Sequence, residues 1–320
     1  MDYQPNLSLI GKPRKDRLGD IRAEVFGLRT ADKAELAITR IPPRVPDAGQ
    51  AAAPPSVVLV HGTYSTRNFW VSPKGIGMGS YLADQGYDVW IPELRGHGLS
   101  PKPAGYAAIS AEDHIRADLP AIQNFVKLRS SGPVFWIGHS FGGLYVIAAL
   151  SMKWLDQSNM AGLVAFGSQI SHGDRYLKVP PLAWTAALIL KTIGYFPAPR
   201  LGLGPEIEPA GVILETIRWK RLFGKWTTST GASYWEGLRN IRLPVLTMAA
   251  ENDRNDPPVG CKRIHDYVSS PDKTFLRLGK NFGFSMDYDH VGMVVSRAAQ
   301  GEVWPMVARW IADRGCGQED

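Results

Sequence analysis

Apolar residues along this 320-residue chain fall into short blocks, and the spacing inside each block predicts its secondary structure. Apolar and polar positions alternate over 21–28 and 34–41, the period of strands with one solvated face. The polar turn 29–33 separates them, and the Pro/Ala/Gly-rich stretch 42–55 reads as a surface loop. A different pattern follows. Residues 56–60, 87–91, 134–137, 162–166, 243–249 and 274–278 are compact apolar runs, as expected of strands covered on both faces. Helical stretches near 79–85, 112–129, 141–155 and 302–314 lie among them. Buried strands alternating with helices predict an α/β fold: a mostly parallel sheet flanked by helices.

The alternation breaks over about 171–239. That stretch carries an apolar helix at 182–196, a Gly/Pro hinge at 197–209 and an aromatic, basic run at 217–226. It is expected to be a helical cap inserted late in the sheet. The core is then 1–170 and 240–320, with the cap or lid at 171–239. No internal repeat or low-complexity tract is evident, and disorder is expected only at the two ends.

The net charge of +6 is spread along the chain, unlike a nucleic-acid arm, so no nucleic-acid partner is expected. Cys261 and Cys316 fit no metal or redox spacing and read as free thiols, as suits a reducing compartment. The opening MDYQPNLSLIGKPRKDR lacks the apolar run of a signal peptide, and no stretch reaches the ~18 apolar residues of a membrane span. A cytoplasmic enzyme is the expectation.

The densest chemistry lies at Gly138-His-Ser-Phe-Gly142, which follows an apolar strand and opens a helix. A serine on such a turn projects its hydroxyl into a cleft at the sheet edge, and glycines two before and two after it remove clashing Cβ atoms. The helix N-terminus adds free amides and a favourable dipole for an oxyanion. An ordinary glycine turn would share the bare G-x-S-x-G, but not the strand before it, the helix after it and the extra Gly143.

With this segment, the strand ending in His61-Gly62-Thr63 and the turn Arg95-Gly-His-Gly-Leu-Ser100, the chain resembles the α/β-hydrolase family from about residue 20 to the last helix. The resemblance implies Ser140 as nucleophile, the amides of Thr63 and Phe141 as oxyanion hole, and a structural role for His97. The family's chain order of serine, acid and histidine leaves His172, His265 and His290 as bases. His290 is favoured because its loop lies between the last strand and the last helix. His172 opens the insert, and His265 reads as a surface residue of a helix. For the acid, the turn 251–258 aligns Asp253 with the family pattern, although Ala250 replaces a glycine. Glu251 and Asp256 are the alternatives, and one of them could cap the following helix.

The chemistry expected is hydrolysis of a carboxylic ester with a hydrophobic acyl chain through an acyl-serine. The same acyl-enzyme serves an acyltransferase or a thioesterase, and a non-catalytic binding scaffold is the alternative from another class. Ser140 stands where dehalogenases and epoxide hydrolases carry a carboxylate. No cofactor is expected: Gly202-Leu-Gly204 and 75–79 lack the context of a phosphate loop. The partner expected is a small acyl ester, and transient lipid-surface contact through the cap is one reading of the insert but not the favoured one. A cap packed on the core with its basic residues solvated is the other reading of the insert.

Overall fold

The computed structural model describes residues 11–45, 53–172 and 179–315. Strands β1 (Arg14–Leu18), β2 (Ile21–Arg29), β3 (Glu35–Ile41), β4 (Ser56–Val60), β5 (Asp88–Glu93), β6 (Val134–His139) and β7 (Gly162–Phe166) come first. A small pair, β8 (Tyr195–Phe196) and β9 (Glu208–Pro209), follows, then β10 (Val245–Ala250) and β11 (Lys273–Leu278). Nine of these form one sheet in the order β1-β2-β3-β5-β4-β6-β7-β10-β11. The β1–β2, β2–β3 and β3–β5 pairs are antiparallel, and every pair from β5 to β11 is parallel.

The parallel half is apolar because helices cover it twice. In β4, Val58 and Val60 face one cluster with Trp90, Trp136 and Tyr145. Val57 and Leu59 face the other, with Trp70, Ile91 and Trp304. Each Val or Leu buried this way contributes about 1.5–3 kcal/mol, so a polar substitution on either face is costly.

Several boundaries differ from the pattern-based expectation, each for a local reason. Edge strand β1 was hidden because Leu18 alone of its five residues is buried. The stretch expected as one helix over 112–129 contains a π turn, His114–Asp118, before the helix Leu119–Lys127. Pro120, which has no amide to donate, lies just beyond it. The helix Phe141–Ser151 stops short of 155, and Lys153 then takes a left-handed φ of 58°. The final helix, Arg297–Gly315, starts earlier than 302, where the Ala299 amide donates to Ser296 Oγ.

In the insert, the apolar helix is Pro180–Ile193, ended by Gly194 at φ 82°. The expected hinge holds a 3-10 turn, Ala198–Leu201, and β9, which pairs with β8. The basic run divides: the helix Ala210–Lys220 takes its first part, while Trp219 and Trp226 are buried and Phe223 is exposed. The expectations of disorder at both ends, and of a free Cys316, fall largely or wholly outside the described residues. Cys261 is a free, buried thiol.

Candidate functional site

The site is built on three neighbouring strands. Ser140 follows β6 directly, Gly167 follows β7, and Asp253 lies three residues beyond β10. In a sheet of parallel strands, the crevice at the carboxyl ends is where ligands are met.

Ser140 has φ 55° and ψ −127°, a strained conformation for a residue with a side chain. The ladder holds it there: its amide donates to Phe166 O at 2.7 Å, and Ser168 Oγ donates to its carbonyl at 2.9 Å. Gly142 is required by contact, since a Cβ there would stand 2.4 Å from His61 O. On the other side, a Cβ on Gly62 would meet the Ser140 Cβ at 3.0 Å. The turn carrying Thr63 is thus packed against the serine. Phe141 is the first residue of its helix, so no helical carbonyl precedes its amide.

His290 stands in a loop that backbone hydrogen bonds tie to β10 and β11. The Asn252 amide donates to Tyr288 O at 2.8 Å, and the Tyr288 amide donates to Leu278 O at 3.3 Å. His290 Nδ1 lies 2.5 Å from Asp253 Oδ2. A Cβ on Gly167 would come within 3.1 Å of the same ring. His139, beside the serine, places Nε2 2.8 Å from His290 O, and its own ring stacks on Phe69 with centroids 4.3 Å apart. Burial and the neighbouring His290 push the His139 imidazole well below its usual range. It therefore serves as a neutral donor to that carbonyl.

Electrostatics at His290 work in opposition. Burial draws its pKa down, but the hydrogen bond to Asp253 and the charges of Asp256 and Asp253 raise it above the ordinary imidazole value. Asp256 was expected as an alternative acid or as the cap of the following helix. Instead it is buried, with Oδ2 3.7 Å from His290 Nε2, and the helix Pro258–Tyr267 has no side-chain cap. Two backbone facts explain the correction: Pro257 occupies the cap position, and the Asp256 amide donates to Asp253 Oδ1 at 2.8 Å. Burial pushes the Asp256 carboxyl up, against the pull of Lys220 and His290.

Two further side chains at the site carried no sequence signal. Gln169 Nε2 lies 2.5 Å from Asp256 Oδ1. Lys220, at the end of its helix in the insert, reaches to 3.8 Å from Asp256 and sits over the Phe141 ring at 5.4 Å. Both contacts join segments far apart in sequence, which no local pattern encodes.

The other named residues lie elsewhere. His265 is not on the surface: it is buried with Nδ1 3.0 Å from Thr247 Oγ1, and its pKa falls to about 4, chiefly through burial. His172 shares a hydrogen bond with Ser171 Oγ at 3.0 Å. Glu251 pairs with Arg277 at 2.7 Å. His97 Nε2 lies 3.2 Å from Glu208 Oε2, in a contact between the turn after β5 and β9.

A cleft of about 300 Å³ opens beside Lys220, lined also by Ile170, Trp219, Phe223 and Trp226. A second of similar size, against Asp32, Arg95 and Ile109, contains none of these residues. Among the described residues, no helix is long and apolar enough to cross a membrane.

Comparison with known proteins fits this fold. The profile described as "Alpha/beta hydrolase family" matches residues 57–294. A tear acid lipase-like protein of Mesocricetus auratus is 30% identical over 176 residues, 52% of this chain and 44% of that one. Bovine gastric triacylglycerol lipase is 34% identical over 131 residues, 38% of this chain and 32% of the lipase. The chain thus spans less than half the length of these relatives. Among solved structures, a Pyrococcus furiosus esterase superposes with TM-score 0.58 at 17% identity, covering 92% of this chain and 93% of its own. A Paleococcus ferrophilus monoacylglycerol lipase gives 0.57 at 18% identity, with 82% and 97% covered. At these identities, the two structures speak to the fold.

Proposed function

The chain belongs to the α/β-hydrolase family, and we propose that it is a serine carboxylic-ester hydrolase acting on esters with a hydrophobic acyl chain. The observation that carries the reading is the His290–Asp253 contact at the strand edge where Ser140 stands in its strained turn. Nδ1–H of His290 donates to the buried Asp253 carboxylate, which leaves Nε2 as the nitrogen that accepts the Ser140 proton. The alkoxide attacks the ester carbonyl while the amides of Thr63 and Phe141 receive the oxyanion. His290 then protonates the leaving alcohol, and a water deprotonated by the same imidazole hydrolyses the acyl-serine. Asp256, 3.7 Å from Nε2, adds a second negative charge that favours the imidazolium formed along the way.

Residues 171–239 serve as the cap in this reading. In the cleft beside Lys220, Trp219 and Trp226 offer an apolar surface to an acyl chain, while Lys220, Arg221 and Arg263 line its polar side. On the helix Pro180–Ile193, Ala183 and Leu190 are the buried residues, while Trp184 and Leu188 are 68% and 67% exposed. Such a face favours contact with a lipid surface, and the relatives named as lipases support that substrate class.

The test is a panel of p-nitrophenyl esters and acyl-CoAs of increasing chain length, run beside labelling with a fluorophosphonate probe. Hydrolysis rising with chain length and an adduct on Ser140 are expected. A purified protein that labels nowhere is a binding scaffold. Turnover of acyl-CoA alone makes it a thioesterase.

A further inference from the structure

A second polar cluster lies within the fold, apart from Ser140. We propose that His97, His114 and Glu208 form a buried divalent-metal site of zinc type, which fastens β9 to the sheet core. The expectation of no metal rested on cysteine spacing, and these donors are histidine and carboxylate.

The geometry is that of a ligand set. The three residues are 1%, 0% and 1% exposed. Each offers a ligand atom within 4.8 Å of the other two. His97 Nε2 and Glu208 Oε2 share a hydrogen bond at 3.2 Å, a separation close to the ~3.4 Å edge of a tetrahedron with zinc bonds of about 2.1 Å, so an ion would take the place of the proton between them. Two imidazoles with one carboxylate are donors that zinc accepts readily.

The surroundings prepare both rings. His97 Nδ1 lies 3.1 Å from Arg95 O, and His114 Nδ1 lies 2.9 Å from Asp118 Oδ2. Asp118 is itself fixed by the Arg95 guanidinium at 2.7 Å. A carbonyl or carboxylate on the far nitrogen is how metal-bound histidines are oriented, with Nε2 presented to the ion. His61 is a useful contrast: its ring is 5.2 Å from that of His97, but its Nε2 already accepts the Leu94 amide at 3.2 Å.

A second, independent observation points the same way. His114 Nε2 is buried without a hydrogen-bond partner, and so is the hydroxyl of Tyr145, whose ring lies 5.6 Å from that of His114. Two orphaned polar groups on neighbouring buried rings are costly, and each calls for an explanation. A bound cation satisfies the His114 lone pair, and the Tyr145 hydroxyl or a water completes the shell. On binding, His97 gives up any proton on Nε2. The ion then joins the turn after β5, the π turn and β9. It also holds the carboxylate whose Oε2 accepts the Tyr64 amide at 2.9 Å, one residue from Thr63.

The full-length protein, purified without a metal-chelating tag, is assayed for metals by inductively coupled plasma mass spectrometry. Close to one zinc per chain is expected. Dipicolinate should strip it and lower Tm, and added zinc should restore both. His114→Gln should lose the metal while still labelling with fluorophosphonate, and Glu208→Gln should lose the metal. Asp118→Asn should bind zinc about 10–100-fold more weakly. Should the glutamine variants fail to fold, stripping and reloading of the wild type still decides. Metal-free wild type whose Tm ignores added zinc overturns the proposal. So does zinc that persists in both glutamine variants, since it then sits elsewhere, for instance at Asp253, Asp256 and His290.

Discussion

Asp253 offers one carboxylate oxygen to His290 Nδ1 at 2.5 Å, and its other oxygen accepts the amides of Asn255 and Asp256 at 3.0 and 2.8 Å. Asp256 meets the opposite nitrogen of the same ring at 3.7 Å. The two carboxylates therefore differ in role. In the proposed mechanism Asp253 fixes tautomer and orientation, while Asp256 acts through its charge. Asp253→Asn should lower kcat about 10⁴-fold, the scale seen when a triad carboxylate is neutralised, with only a small change in Tm. Asp256→Asn should retain most activity. Kinetics on both folded variants check this, and the reverse ranking moves the acid to Asp256.

The raised pKa of His290 sets a pH dependence. As the proposed base, His290 works only as the neutral ring, so kcat/KM should fall as the pH falls through a midpoint above the ordinary 6.5. Asp256→Asn removes one of the charges that raise it and should shift the midpoint down. Stability runs the opposite way. A group with a raised folded-state pKa contributes stability fully below its unfolded pKa, and that contribution is lost as pH rises through the folded value. From about 6.5 upward, activity should grow while Tm declines. A midpoint below 6.5, or an upward shift in Asp256→Asn, contradicts the electrostatic account.

Ser140→Ala should leave less than about a hundredth of wild-type kcat and no fluorophosphonate adduct, because loss of a nucleophile costs several orders of magnitude. The circular dichroism spectrum should be unchanged. His290→Ala should come close to it in severity. His265→Ala should keep kcat but lose Tm, since that ring is buried against Thr247. Severe loss of kcat in a folded His265→Ala would displace His290 as the base.

How far these features could be read in advance follows from the range of the interaction behind them. Val58 and Val60 against Val57 and Leu59 announce a doubly covered strand because burial on both faces leaves no polar alternation. The Ser140 turn was legible for a similar reason: close approach to His61 excludes any side chain at Gly142, and the sequence records it as a glycine. His290 and Asp253 could be singled out by their positions after strands. Asp256 was misread because a carboxylate before two prolines looks like a turn residue, and its burial against His290 depends on a loop 34 residues on. His265 was misread because Lys262, Arg263 and Asp266 stand close to it in sequence, while Thr247, which bonds its ring, lies on β10. Lys220, Gln169 and Glu208 act wholly across such distances, where no periodicity reaches.

The exposed face of the helix Pro180–Ile193 separates the two readings of residues 171–239. If it touches lipid, Trp184 and Leu188 work only when a surface is present. Their exposure, 68% and 67%, means that replacing them removes little packing. The double variant Trp184→Ser, Leu188→Glu should therefore keep its Tm and its kcat/KM on a short, soluble p-nitrophenyl ester. On emulsified or vesicular substrate its rate should fall several-fold, because apolar area that inserts into a membrane is replaced by a charge the interface resists. Sedimentation with vesicles checks the binding directly: wild type should pellet and the variant should not. Equal pelleting, or equal loss on both substrates, would mean that the helix is a cap packed on the core with no role at a lipid surface.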